Sequence, residues 1–115
     1  MTAKNNKIDY VEFAAEDLGA FKNFYGSVFG WTFQDWGPDY ISFDGAGLEG
    51  GVRGGEKPVA GGALVILYAD EIGETERRVC EAGGAVTDRH EFPGGKRFHF
   101  TDPCGNALAV WTKAD

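Results

Sequence analysis

The sequence predicts an α+β fold in which two βαβββ modules form curved mixed sheets around a trough. Two helical stretches carry this prediction, because each follows a short apolar strand and precedes three further strand-like segments. The first runs from Asp17 to Gly30 and the second from Asp70 to Gly83, so each ends thirteen positions after its start, and their starts are 53 positions apart. An internal repeat of this kind indicates a duplicated structural unit. The 18 glycines among 115 residues agree with many tight turns.

Module one covers about residues 8–53 and begins with a strand at 8–14. Asp17 is a candidate N-cap of the helix that follows, and Gly30 is typical of a helix C-terminus. Apolar side chains in this helix recur at steps of three and four residues, which predicts one face packed on a core. They are Leu18, Phe21, Phe24, Tyr25, Val28 and Phe29. Three more strands are predicted at 31–36, 40–44 and 48–53.

A glycine-rich linker at 54–62 separates the modules, and module two covers about residues 63–112. Its predicted elements are a strand at 63–69, a helix at 70–82, a strand region at 85–87 and 89–91, and strands at 96–101 and 107–112. The last two strands flank a turn in which Pro103 fixes φ near −65°, while Gly105 and Asn106 tolerate positive φ. This stretch therefore predicts a hairpin.

Composition limits the classes of function. A length of 115 residues with 43% hydrophobic content fits one packed domain, residues 1–115. The formal charge of −7 argues against nucleic acid and anionic membranes as partners, since both are polyanions. No apolar run approaches the roughly 20 residues of a membrane span. The polar N-terminus has no apolar segment behind it, which predicts a cytoplasmic protein.

Several short motifs, taken in order, resemble the glyoxalase / bleomycin-resistance / dioxygenase family, also called the vicinal oxygen chelate superfamily. They are Phe24-Tyr25 and Phe29-Gly30-Trp31 near the end of the first helix, Gly83-Gly84 at the end of the second, and Asp102-Pro103-Cys104-Gly105-Asn106 in the last turn. The resemblance extends from Ile8 to Trp111. It implies the fold of that family and leaves the reaction open.

The resemblance also implies where metal ligands would lie. In metal-using members a His or Gln occupies the place of Tyr10, a second His lies near Leu64, and a Glu takes the place of Ala109. The remaining ligand falls within residues 49–53. Tyrosine, leucine and alanine do not supply the carboxylate or imidazole ligands that divalent ions need. We therefore expect no metal and no other cofactor, and the sequence argues against a metal-dependent dioxygenase.

Alternation from the Ala109 position assigns further side chains to the trough. We expect an apolar pocket in which four polar groups orient a ligand, with Glu12 and His99 as a candidate acid–base pair if they converge. The other two polar groups are Tyr10 and Arg97. The expected apolar lining is Leu64, Ile66, Tyr68, Ala109 and Trp111. The alternative is that Glu12 and Arg97 form a structural ion pair and His99 is an ordinary sheet residue.

The two cysteines, His90 and Glu91 are not expected to belong to a functional site. Cys80 lies in a helical pattern and Cys104 in a turn, so they do not indicate a disulfide framework. No histidine lies near Cys104 in the sequence to activate its thiol. His90 and Glu91 precede a turn, are expected to lie in an exposed loop and lack the spacing of a metal motif.

Two functions compete, and a third remains possible. The first is a metal-independent protein that binds a small organic molecule, of the drug-sequestering type, with Trp31, Trp36 and Trp111 as candidate aromatic contacts or core residues. The second is a glyoxalase-like lyase or other enzyme acting on a small carbonyl compound. The third is an interaction or regulatory module. The open sheet face also predicts a homodimer, because it must be covered.

Overall fold

The computed structural model describes residues 5–6, 8–59 and 61–115, which form two four-stranded mixed sheets and two helices. Sheet one has the order β1-β4-β3-β2 and sheet two the order β5-β8-β7-β6, with β1–β4 and β5–β8 parallel. The elements are β1 (Tyr10–Ala15), α1 (Leu18–Phe29), β2 (Thr32–Asp35), β3 (Tyr40–Asp44), β4 (Glu49–Gly54), β5 (Val65–Tyr68), α2 (Ile72–Glu81), β6 (Ala85–Phe92), β7 (Gly95–Thr101) and β8 (Ala107–Lys113). The predicted fold class of two βαβββ modules is confirmed.

Helix α1 begins and ends where the sequence places its caps. Asp17 has extended backbone angles, and its Oδ1 accepts a hydrogen bond from Ala20 N at 3.2 Å. Gly30 adopts φ 75°, in the left-handed region that favours glycine. Helix α2 begins at Ile72 rather than at Asp70, because the first carbonyl that accepts a helical hydrogen bond belongs to Glu71.

The core lies between the helices and both sheets, and α1 joins the two modules. Phe24 of α1 packs against Phe100 of β7 with ring centroids 5.8 Å apart. Phe21, Tyr25 and Phe100 are completely buried. Because one aromatic helix contacts both sheets, the hydrophobic effect stabilises the pair of modules as one unit.

The turn after β7 also joins the modules. The Oδ1 atom of Asp102 accepts hydrogen bonds from Cys104 N at 2.8 Å and Asn106 N at 2.9 Å. The Asn106 Nδ2 then donates to the carbonyl of Ala14, in β1, at 3.0 Å. Gly105 has φ 103°, which a side chain would strain. The turn of the predicted hairpin is therefore also hydrogen-bonded to β1.

Some element bounds differ from the sequence prediction. Strand β1 starts at Tyr10, two residues after the predicted start. Strand β6 is continuous from Ala85 to Phe92, with a bulge between Val86 and Asp88 where a break was predicted. His90 and Glu91 consequently lie in a strand and not in a loop. A bulge inserts one extra residue without ending a strand, so it resembles a break in the alternation pattern. No helix of the described residues is long and apolar enough to cross a membrane.

Candidate functional site

Apart from Leu64, which precedes β5, the side chains predicted to face the trough lie on the sheet faces that point away from the helices. On β8, Leu108 and Val110 are fully buried toward the helices, and the residues between and beyond them point the other way. The strand register places Ile66, Ala109 and His99 side by side across sheet two. Tyr68, Trp111 and Arg97 form the next row. In sheet one the corresponding row is Glu12, Gly51 and Ser42.

The two modules meet along a seam between β1 and β5. Within the described residues each of these strands pairs on one side only, and residues of both strands line the same two cavities. A cleft of about 630 Å³ opens at one end of the seam, where Tyr10 meets Ile66 and Tyr68. The described residues that line this cleft carry no charge. Besides these three, they are Ile8, Val11, Phe13, Phe29, Trp31, Phe43, Gly45, Ala46, Gly47, Leu48, Ala63, Val65 and Leu67.

The open face of sheet one carries a hydrogen-bonded polar network. The hydroxyls of Tyr10 and Tyr40 lie 2.7 Å apart, and Tyr40 donates to Glu12 Oε2 at 2.9 Å. Burial, followed by the bonds to Tyr10 and Glu12, raises the pKa of Tyr40. Glu12 Oε1 lies 3.3 Å from Arg53 Nε. Glu12 is thus in an ion pair, as one alternative predicted, but its partner is Arg53 and not Arg97.

The open face of sheet two carries two histidines. The rings of His90 and His99 are edge-to-face, 5.4 Å apart, and His90 Nε2 lies 2.9 Å from Asp88 Oδ2. His99 Nε2 is buried and has no hydrogen-bond partner among the described residues. Burial, then the charges of Arg97 and His90, lower the pKa of His99, which favours its neutral form. No hydrogen bond joins His99 to Glu12 within the described part of the chain.

The three tryptophans occupy three different environments. Trp31 is 6% exposed and lies in the core, and it also lines the cleft. Trp111 lies on the open face of sheet two, with its ring 5.1 Å from that of Tyr68. Trp36 is 61% exposed and donates a hydrogen bond to Ser42 Oγ at 2.8 Å. Only Trp31 is therefore a direct cleft residue.

The positions at which the resemblance implies metal ligands do not fit a divalent ion. The fourth position, open in the sequence, is Gly51, since Gly51 lies opposite Glu12 in sheet one as Ala109 lies opposite Ile66 in sheet two. The set is therefore Tyr10, Gly51, Leu64 and Ala109, without a carboxylate or an imidazole. A Cβ built on Gly51 would lie within 2.5 Å of Tyr10 Oη and closer still to Tyr40 Oη. The two tyrosine hydroxyls thus fill the space into which a ligand side chain would project. No group of three or more His, Cys, Asp or Glu residues in the described ranges is arranged to hold a metal.

Neither cysteine thiol lines the cleft. Cys80 is exposed on α2, and Cys104 is partly buried in the turn after β7. Burial, then the charges of Asp102 and Asp17, raise the pKa of the Cys104 thiol to about 11. A thiol that remains protonated is a weak nucleophile, which supports its interpretation as a turn residue.

Comparison with known proteins establishes the class. The profile of the Glyoxalase/Bleomycin resistance protein/Dioxygenase superfamily matches residues 7–110. The chain therefore belongs to that superfamily. No curated protein sequence matches it.

Solved structures agree on the fold. A glyoxalase/bleomycin resistance protein/dioxygenase family enzyme from Burkholderia phytofirmans PsJN superposes with a TM-score of 0.80 at 18% identity, covering 92% of this chain and 98% of that one. The fosfomycin resistance protein FosX from Listeria monocytogenes gives 0.81 at 15% identity, and lactoylglutathione lyase from Agrobacterium tumefaciens gives 0.74 at 21%, each covering 96% of both chains. At these identities the likeness shows the fold alone.

The structure brings some predicted site residues together and separates others. Tyr10, Ile66 and Tyr68 share the cleft. Leu64 is 38% exposed just before β5, and Arg97, His99, Ala109 and Trp111 lie farther across sheet two. Sequence reasoning named Trp31 as a candidate aromatic contact or core residue, and it lines the cleft; it missed Tyr40 and Arg53. Arg53 had a usable signal, because it alternates with Glu49 and Gly51 along β4 and so shares their face.

Proposed function

We propose that this protein binds a small organic molecule, without a metal ion, in the apolar cleft between β1 and β5. The observation that carries the proposal is the lining of that cleft. Aromatic and aliphatic side chains surround about 630 Å³, a volume within the range of ligand pockets. The lining side chains that carry a polar atom are Tyr10 and Tyr68, each with a hydroxyl, and Trp31, with an indole N–H.

The polar groups nearby favour binding over catalysis. Glu12 is held by Tyr40 and Arg53, so it is poorly placed to exchange a proton with His99. The four positions at which a Lewis acid would be held, Tyr10, Gly51, Leu64 and Ala109, supply no carboxylate or imidazole, which argues against the metal-dependent reactions of the family.

Tryptophan fluorescence tests the proposal directly. Replacing Trp36 and Trp111 with Phe leaves Trp31 as the sole tryptophan of the three in the sequence, and it forms part of the cleft. We expect a neutral aromatic probe, 2-naphthaleneacetamide, to change the Trp31 emission saturably. The Ile66→Glu variant places a charge in the cleft and should abolish this change. Phe92→Glu is the matched control, since Phe92 is 40% and Ile66 42% exposed and Phe92 lies outside the cleft. Equal loss in both variants, or no saturable change in the parent protein, would contradict the proposal.

The proposal includes a homodimer. Ile66, Tyr68 and Phe92 are 42%, 44% and 40% exposed on the open face of sheet two, where Trp111 is half-buried beside them. Exposed apolar side chains grouped on one face are typical of a surface that another protein covers. We expect light scattering at micromolar concentration to give twice the mass of the 12.4 kDa chain. A monomer would contradict this part of the proposal and leave the cleft unaffected.

A further inference from the structure

We propose that the ligand is an aromatic carboxylic acid whose carboxylate is bound by Arg53. This inference rests on the proposed function, because it assigns a chemical class to the molecule in the cleft. It starts from a second cavity at the other end of the β1–β5 seam. This second cavity has a volume of about 400 Å³ and shares Val11, Phe13, Ala63 and Val65 with the apolar cleft.

The two cavities differ in charge although they adjoin. Among the described residues, uncharged side chains alone line the first, whereas Glu12, Arg53, Glu56 and Lys57 line the second. A molecule that extends along the seam therefore meets an apolar environment at one end and charged groups at the other. Burial of an ionised group in the first cavity would be costly, so a charged end of the ligand belongs in the second.

Arg53 has two carboxylate neighbours near its Nε atom, and its two terminal nitrogens are left to bind a ligand. It lies on the open face of β4, between Ala14 and Tyr40 in the strand register. Both neighbouring carboxylates approach Nε: Glu12 Oε1 at 3.3 Å and Glu56 Oε2 at 3.7 Å. Nη1 and Nη2 make no hydrogen bond to any residue that the structure describes. The side chain is 49% exposed, so those nitrogens can be reached from the cavity.

The two carboxylates and the two cations of the second cavity sum to zero charge, so the sign of the ligand charge depends on which hydrogen-bonding groups are left without a partner. Glu12 accepts from Tyr40 and contacts Arg53, and Glu56 contacts the same guanidinium. The donors that remain are the Arg53 terminal nitrogens, and Lys57 is a second cationic residue that lines the cavity. A guanidinium presents paired N–H groups that match the two oxygens of a carboxylate. The net charge of −7 opposes the approach of an anion over long distances, but salt screens that effect beyond about 8 Å at physiological ionic strength.

Three ligands of similar shape but different charge test the inference. They are titrated into the variant in which Trp36 and Trp111 are replaced by Phe, so that Trp31 is its remaining tryptophan. They are 2-naphthaleneacetic acid, 2-naphthaleneacetamide and 2-(2-naphthyl)ethylamine, titrated by fluorescence at pH 7.5 and checked by calorimetry. We expect the acid to bind about ten- to a hundredfold more tightly than the amide, as charge-assisted hydrogen bonds allow. Arg53→Met should abolish the preference for the acid and leave amide binding within about twofold. Arg53→Lys retains the charge without the paired geometry and should give an intermediate preference.

The control variant is Arg78→Met, which makes the same change of charge on the exposed face of α2. It should leave the preference for the acid unchanged, and melting temperatures should show that all variants are folded. If the amide binds as tightly as the acid, or the preference survives in Arg53→Met, the inference is wrong and the proposed function stands. If the amine binds most tightly, the charged end has the opposite sign and the inference is also wrong. If none of the three binds, both the inference and the proposed function fail.

Discussion

The Tyr25 hydroxyl donates a 2.8 Å hydrogen bond to Asp102 Oδ2, joining α1 to the turn between β7 and β8 across 77 positions of the chain. Tyr25 is fully buried and Asp102 is 4% exposed. The other carboxylate oxygen, Oδ1, accepts the backbone N–H groups of Cys104 and Asn106. One side chain therefore both closes the turn and anchors it to the first module.

Replacing Tyr25 with Phe should lower the free energy of unfolding by about 1.5–3 kcal/mol, because a buried carboxylate oxygen loses its partner. Burial, then the charge of Asp102, raise the pKa of Tyr25 well above its usual value, so the hydroxyl remains a donor. Urea unfolding at pH 7 measures the change. Tyr68→Phe is the control, since Tyr68 is 44% exposed and should change stability by less than about 0.5 kcal/mol. Equal losses in both variants would contradict a specific role for the bond to Asp102.

Replacing Gly51 with Ala should destabilise the protein by about 1–3 kcal/mol, because the new methyl group overlaps the hydroxyls of Tyr10 and Tyr40. The loss should shrink when Tyr40 is also replaced by Ala, which removes one side of the overlap. Gly73→Ala is the control: no atom lies within 4 Å of its Cβ position, and alanine favours the helix by up to about 1 kcal/mol. Thermal and urea unfolding would measure the stability of the parent protein, of Gly73→Ala, and of Tyr40→Ala, Gly51→Ala and their double variant. A neutral Gly51→Ala change would mean that the tyrosines do not occupy this space in solution.

Divalent ions should not stabilise the protein. Tyr10, Gly51, Leu64 and Ala109 supply no carboxylate or imidazole, so Ni²⁺, Zn²⁺, Mn²⁺ and Fe²⁺ have no ligands at these positions. We expect plasma mass spectrometry to find much less than one metal per chain, and thermal unfolding to be unchanged by any of the four ions. Binding near one ion per chain with a raised melting temperature would show that other donors form a site.

The fold and the sheet faces could be predicted because they depend on local rules. Caps fixed α1 between Asp17 and Gly30, and strand alternation placed Tyr10 and His99 on faces away from the helices. The partner of Glu12 could not be predicted in this way. Parallel pairing of β1 with β4 sets Glu12 opposite Gly51 and hence diagonal to Arg53, which is 41 positions away in sequence. Such a neighbour follows only from strand register, which alternation does not determine.

The same limit applies to the site. Alternation shows on which face a side chain lies, but not which residues of two separate sheets meet. Glu12 and His99 both lie on open faces, yet each has its own neighbours: Tyr40 and Arg53 for Glu12, and His90 for His99. The cleft was harder still to predict, because Trp31 reaches it from the core, between α1 and β2.

His99 should make the protein less stable in acid. Its pKa is lowered in the folded state, first by burial and then by the charges of Arg97 and His90, against a smaller opposing effect of Asp88. As the pH falls, the unfolded chain therefore binds a proton at this residue before the folded one does. The contribution to stability is fully present above the unfolded pKa of about 6.5 and is lost as the pH falls through the folded value.

Urea unfolding between pH 7.5 and pH 5 measures this contribution. The free energy of unfolding should fall toward acid, and His99→Gln should make its dependence on pH shallower. His90→Gln is the matched control, because His90 lies on the neighbouring strand, is exposed and pairs with Asp88. If His90→Gln flattens the profile as much as His99→Gln, the dependence arises from the Asp88 pair. The burial of the His99 imidazole would then be insufficient to shift its titration.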